Sequence, residues 1–163
     1  SRGSWVWRTQ RNLHSGPCGT LKRTDIRWSK QHRKGRTTMT TRVLLADDLP
    51  QVRMIALKSL QDHGYQVEVV DCGKAVLDRV GRVSLDAIVL DLYLRDMTGL
   101  TVLDTITLLP PHMRPPVLML TVESSESIAD ECRRRGASGY LVKPYGLRSL
   151  AQRVEAMIEA SAR

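Results

Sequence analysis

The sequence predicts an α/β protein: a parallel sheet covered by helices on both faces. Three observations predict it. Five short apolar, β-prone runs alternate with five segments of helical period between residues 42 and 158. Runs such as Ala87-Ile88-Val89-Leu90 are apolar at successive positions, as strands buried on both faces are. Four of the runs end in an acid, a threonine or a lysine, and α/β sheets place their chemistry at the carboxyl ends of strands.

The first strand is Val43-Leu44-Leu45-Ala46, and it ends in Asp47-Asp48. Leu49-Pro50 follows, and Pro suits a first helical turn. Val52, Ile55, Ala56, Ser59 and Leu60 then share one helical face, and Gly64 closes the helix just past its cap. Tyr65 to Val70 reads as the second strand. Gly73 to Val80 reads as a short helix with Ala75, Val76 and Val80 inward and Gly81 at its end. The third strand runs from Ala87 to Leu90 and ends in Asp91, before a polar, Gly-containing loop. Asp91 there either begins a turn, which Asp favours, or stands as a functional acid at a strand end.

Gly99 to Leu109 reads as a helix with Leu100, Leu103 and Ile106 at helical spacing, stopped by Pro110-Pro111. Pro115-Pro116 leads into the fourth strand, Val117 to Leu120, which ends at Thr121. Ser124 to Arg135 is a helix with Ser and Glu near its start and Arg133, Arg134 and Arg135 near its end, the order the helix dipole favours. Gly136 ends it. The fifth strand, Gly139 to Val142, ends at Lys143-Pro144. Leu147, Leu150, Ala151, Val154, Met157 and Ile158 mark a final amphipathic helix. Crossovers between parallel strands are right-handed. Met54, Met119 and Met157 read as packing residues.

A chain of 163 residues with 42% hydrophobic residues supports one globular domain with a real core. There is no Phe, so that core is aliphatic. No apolar run approaches the ~20 residues of a membrane helix, and no signal-peptide pattern is present. Cys18, Cys72 and Cys132 are odd in number and widely spaced, which reads as free thiols in a reducing, cytoplasmic setting. Four scattered histidines form no zinc pattern.

The net charge of +8 is not spread evenly. Residues 1–38 hold 10 Lys/Arg against Asp25, a net of +9, while residues 39–163 hold 15 Lys/Arg against 16 acids, a net of −1. Residues 1–38 therefore read as a basic, disordered extension. Their Trp5, Trp7 and Trp28 among arginines are also compatible with nucleic acid. Met39 immediately precedes the first strand and makes a natural initiator, so the extension reads either as an overlong start or as an added segment without a native role. The domain proper is 39–163.

The strand ends collect Asp47 and Asp48, then Asp91, Thr121 and Lys143 on one rim. Three carboxylates in one place repel each other unless a cation joins them, and oxygen-only ligands suit Mg²⁺. A lysine and a hydroxyl beside them suit a phosphoryl group, with a carboxylate as nucleophile. Asp91, alone on the middle strand, is the candidate nucleophile; Asp47 and Asp48, as a pair, suit the metal.

These segments, Val-Leu-Leu-Ala-Asp-Asp-Leu-Pro, Ile-Val-Leu-Asp-Leu-Tyr-Leu-Arg-Asp-Met-Thr-Gly-Leu, Leu-Met-Leu-Thr and Gly-Tyr-Leu-Val-Lys-Pro, together resemble the receiver domain of two-component response regulators over about residues 42–160. The resemblance implies a flavodoxin-like (βα)5 three-layer sandwich with strand order 2-1-3-4-5. It implies that Asp91 is the phosphoacceptor, that Asp48, Asp47, Asp91 and the main-chain carbonyl of Tyr93 hold Mg²⁺, and that Lys143 binds phosphate. Thr121 and Tyr140 take the places of the switch pair, and Lys143-Pro144 matches a bond often cis in the family.

Two departures from the pattern matter. Val122 stands where Ala or Gly is usual and would narrow access to Asp91. Glu123 and Tyr93 occupy positions that tune dephosphorylation; an acid at Glu123 either orders the attacking water or repels it. The expectation is a stand-alone receiver, phosphorylated by a histidine kinase or phosphotransfer protein and signalling by protein contact or phosphorelay. It would catalyse its own phosphotransfer and dephosphorylation without being an enzyme for a separate substrate. Pairing through the fourth helix, fifth strand and fifth helix is expected of such domains. The alternatives are a phosphorylation-independent interaction module, a DNA-binding regulator using the basic tail, and a haloacid-dehalogenase-like phosphatase. The tail lacks a helix-turn-helix pattern, and Asp47-Asp48-Leu49-Pro50 lacks the second Asp two residues on that the phosphatase needs.

Overall fold

The computed structural model describes residues 40–162, so the reading of residues 1–38 lies outside it. The elements are β1 (Arg42–Ala46), α1 (Pro50–Asp62), β2 (Gln66–Val70), α2 (Gly73–Val80), β3 (Ala87–Asp91), α3 (Gly99–Thr107), β4 (Val117–Thr121), α4 (Glu126–Arg134), β5 (Gly139–Val142) and α5 (Leu147–Ser161), with one 3₁₀ turn at Pro111–Met113. The strands are parallel in the order β2-β1-β3-β4-β5, the flavodoxin-like order expected.

Strand side chains point alternately to opposite faces, and the two cores follow from that. Leu44, Ile88, Leu90 and Met119 join Val76, Leu103 and Cys132 from α2, α3 and α4 on one face. Leu45, Val89, Leu118 and Leu120 join Ala56, Leu60, Leu150 and Val154 from α1 and α5 on the other. Burying one such Leu or Val contributes about 1.5–3 kcal/mol, so every central strand is held from both sides. That explains why the middle strands are apolar at successive positions.

Several expectations shift locally. Met54 and Ile55 are exposed, at 66% and 49%, where an inward Ile55 and a packing Met54 were expected. α1 turns Ala56, Ser59 and Leu60 inward. At roughly 100° per residue, Ile55 and Met54 lie about 100° and 200° round from Ala56. α3 stops at Thr107 rather than Leu109. Pro110 disfavours the helical conformation at Leu109, and the last turn unwinds before it. α4 begins at Glu126 because Ser125 is its cap, its side chain accepting from the Ile128 N–H at 3.4 Å. Arg133 and Arg134 pair with Asp130 and Glu131 on their own helix, and Arg135 reaches Asp104 of α3. Cys132 is a buried free thiol, but Cys72 is disulfide-bonded, against the expectation of free thiols throughout.

The register sets up one rim. Ala46 lies opposite Leu90, Asp91 opposite Leu120, and Thr121 opposite Val142. The next residues, Asp47 and Lys143, therefore emerge beside Asp91 and Thr121. The chain leaves β1 for β2 on one side and returns to β3 on the other. That reversal opens a crevice at the carboxyl ends of β1 and β3, the usual ligand position in such sheets.

Candidate functional site

Asp47, Asp48 and Asp91 meet in this crevice, each offering a carboxylate oxygen within 4.8 Å of the others. Asp47 is wholly buried and Asp91 is 5% exposed. Asp47 is oriented by its neighbours: Oδ1 accepts from the Leu49 N–H at 2.8 Å and Oδ2 from the Lys143 ammonium at 2.7 Å. Lys143 also donates to Asp91 Oδ2 at 2.7 Å, so one ammonium bridges the two buried acids. Its own position is fixed from the main chain, where its N–H donates to the Thr121 carbonyl at 2.6 Å. Charge-assisted bonds of this length are among the strongest a protein makes.

Burial pushes the Asp91 carboxyl above its ordinary range; the bond and charge of Lys143 pull it back, and the charge of Asp47 pushes it up again. Three carboxylates face one ammonium, so the site still carries excess negative charge. A small hard cation with oxygen ligands fits that donor set.

Asp48, Leu49, Asp91, Tyr93, Val122 and Lys143 line a shallow cleft of about 270 Å³. Val122 stands 67% exposed in its wall. Thr121 is buried beneath, its hydroxyl accepting from the Glu123 N–H at 3.0 Å. The Tyr93 N–H lies 3.4 Å from Asp91 Oδ1, and its phenol donates to the Glu123 carboxylate, which raises the phenol's pKa. Tyr140 is half-buried and donates to the Glu123 carbonyl. The Lys143–Pro144 peptide is cis. Gly99 is required by close approach: a Cβ there would lie 2.4 Å from the Asp91 carbonyl oxygen. Its N–H donates to the Leu92 carbonyl at 2.7 Å, so α3 starts directly against the acid's own backbone.

All seven residues singled out from the sequence thus fall in or beside one site. Asp47, Asp48, Asp91 and Lys143 form its floor and Tyr93 its wall, with Thr121 behind and Tyr140 linked through Glu123. Two residues went unnoticed in the sequence. Leu49 lines the cleft. Tyr145 has its hydroxyl buried with no hydrogen bond among the described residues, and burial, then the charges of Asp47 and Asp91, raise its pKa. Its place two residues after Lys143 was the available signal.

Comparison with known proteins identifies the relatives of this chain. Residues 43–155 match the response regulator receiver domain model. Response regulator MprA of Mycolicibacterium vanbaalenii is 33% identical over 120 residues, 74% of this chain and 51% of that protein. The chain spans about half the length of the curated relatives it matches. The chemotaxis response regulator CheY4 of Vibrio cholerae superposes with a TM-score of 0.68 at 30% identity, covering 73% of this chain and 99% of that one. The receiver domain of the Pseudomonas aeruginosa sensor histidine kinase PA1611, solved with a magnesium ion coordinated in its active-site cleft, superposes at 0.67 with 25% identity, covering 74% and 98%. Among the described residues no helix is long and apolar enough to cross a membrane. Over residues 43–155 the chain belongs to the response regulator receiver family.

Proposed function

We propose that Asp91 accepts a phosphoryl group from a phosphohistidine of a histidine kinase or phosphotransfer protein. The observation that carries this reading is the single Lys143 ammonium bridging Asp47 and Asp91 at 2.7 Å each, with Asp48 beside them. A carboxylate oxygen of Asp91 attacks phosphorus. The P–N bond to the imidazole breaks, the imidazole leaves with the bonding pair, and an acyl phosphate forms. Asp47, Asp48, Asp91 and the Tyr93 carbonyl would hold Mg²⁺, which when bound supplies positive charge against the phosphoryl oxygens. Lys143 supplies a second positive charge, already aimed at Asp91.

The switch follows from the contacts of Thr121. Its hydroxyl leaves the Glu123 N–H and turns to the acyl phosphate. Tyr140, tied to the Glu123 carbonyl, moves with that segment, and the surface of α4, β5 and α5 changes with it. Phosphorylation thereby biases an existing equilibrium between two arrangements. The signal passes by protein contact or phosphorelay, with pairing of two copies through the same face as one route. The domain promotes its own phosphorylation and dephosphorylation and turns over no separate substrate.

Intact mass after incubation with acetyl phosphate and Mg²⁺ tests the reading. One phosphoryl adduct is expected, absent with EDTA and absent in Asp91→Asn. A second reading, a phosphorylation-independent module, is favoured by one observation: Val122 walls the cleft that leads to Asp91. No adduct in the wild type, together with one in Val122→Ala, would establish that the wall closes the site. No adduct in either variant, and no binding of beryllofluoride, overturns the phosphoacceptor reading.

A further inference from the structure

α2 does not cap itself. Its N-cap residue, Cys72, makes no side-chain cap hydrogen bond, and its first turn contains no acid. The cap comes instead from the loop that carries Tyr93. Asp96 Oδ1 accepts from the Gly73 N–H at 2.7 Å and Oδ2 from the Lys74 N–H at 2.9 Å, residues 23 and 22 positions earlier in the chain. A carboxylate at a helix N-terminus meets both unpaired N–H groups and the positive end of the dipole. Burial works against the charged form of Asp96, yet backbone N–H donors, those of Lys74 and Gly73 first and then its own and that of Met97, together outweigh it and hold the carboxyl below its usual range.

Two further contacts reinforce the junction. Arg95 pairs with Asp71, at the end of β2, at 2.9 Å. Met97 packs against Gly73 so closely that a Cβ there would come within 2.4 Å of it. The loop between β3 and α3 is thus held to the β2–α2 junction at three consecutive residues. On its other side it is closed by the Tyr93–Thr98 bridge and by the Gly99 N–H to the Leu92 carbonyl. Tyr93, between these two anchors, has little freedom to leave Asp91.

We infer that Asp96 is a positioning residue for the Asp91 site: by capping α2 from the active-site loop, it presets the Tyr93 backbone beside the acidic cluster. The inference rests on the proposed Mg²⁺-dependent reading of that site. Its consequence is that α2, which contributes nothing to the cleft itself, controls metal affinity through the loop. Groups that hold first ligands in place typically account for about 10–100-fold in metal affinity.

The experiment is a Mg²⁺ titration of the full chain followed by amide NMR, with hydrogen exchange at residues 92–98, Gly73 and Lys74 in the metal-free protein. Asp96→Ala is expected to weaken Mg²⁺ binding about tenfold and to speed exchange throughout the loop. Asp96→Asn, which keeps one acceptor oxygen, is expected to fall between and serves if the alanine variant does not fold. Val154→Ala thins the core between α1, α5 and the sheet, on the opposite face from α2 and α3, and is expected to lower Tm while leaving Mg²⁺ affinity unchanged. A purely structural role for Asp96 would make its variants behave like Val154→Ala, and that result overturns the inference alone. A wild-type protein with no Mg²⁺ response overturns the reading of the site along with it.

Discussion

At the rim, one ammonium, that of Lys143, serves two buried acids, Asp47 and Asp91. Asp91 is buried and carries a raised pKa, because burial outweighs the help of Lys143. The sign of its effect on stability follows. For an acid whose folded pKa is raised, the unfolded chain gives up its proton first as pH rises. Stability therefore falls on passing upward from the ordinary carboxylate pKa through the folded one, and the loss persists above it. Asp91→Asn removes that loss while keeping an oxygen for Lys143. In metal-free buffer at pH 7 the variant is expected to melt above the wild type, and the difference is expected to shrink as pH falls through the carboxylate range. Thermal melts across pH with EDTA present measure it; a variant that melts lower at pH 7 would show that the Lys143–Asp91 pair outweighs the burial.

At the scale of the element, strand ends and helix starts do most of the placing. Gly99 begins α3 against the Asp91 backbone, and Thr98 before it caps the helix by accepting from the Thr101 N–H at 3.3 Å. Replacing such a cap by Ala costs about 0.5–2 kcal/mol. Thr98→Ala is expected to lower the urea midpoint by a corresponding amount with an unchanged m-value; no shift would mean that the Gly99–Leu92 bond alone holds the start of α3. Element boundaries moved from their sequence positions for the same local reasons. Ser125 became a cap rather than a helical residue, and Pro110 shortened α3. Such changes are decided by which group satisfies the terminal N–H and C=O groups, and a hydrophobic period does not record that.

Across the whole molecule, one sheet divides two aliphatic cores. Leu103 on α3 and Leu150 on α5 are both fully buried, one in each. Leu103→Ala and Leu150→Ala are each expected to cost about 2–5 kcal/mol. Because both cores share the backbone of the same strands, unfolding is expected to remain a single transition in either variant. Urea denaturation followed by circular dichroism and by NMR checks this; two separated transitions would show that the faces unfold independently.

The architecture and most of the candidate site are legible in the residue pattern. Short continuous apolar runs alternating with segments of period 3.6 dictate five strands and five helices, and a parallel sheet must gather its strand ends on one rim. Asp47, Asp48, Asp91, Thr121 and Lys143 each directly follow or end such a run, so their convergence was legible without coordinates. The tertiary structure alone decided the contacts between segments distant in sequence. The Lys143 bridge spans 96 residues to Asp47, and Asp96 caps a helix that begins 23 residues before it. The inward face of α1 was decided the same way, since Ile55 is as apolar as its neighbours but lies round the helix from α5 and the sheet. The physical reason is common to all three. Periodicity reports what a segment buries, whereas a hydrogen bond or ion pair depends on the orientation of two segments, which only packing sets.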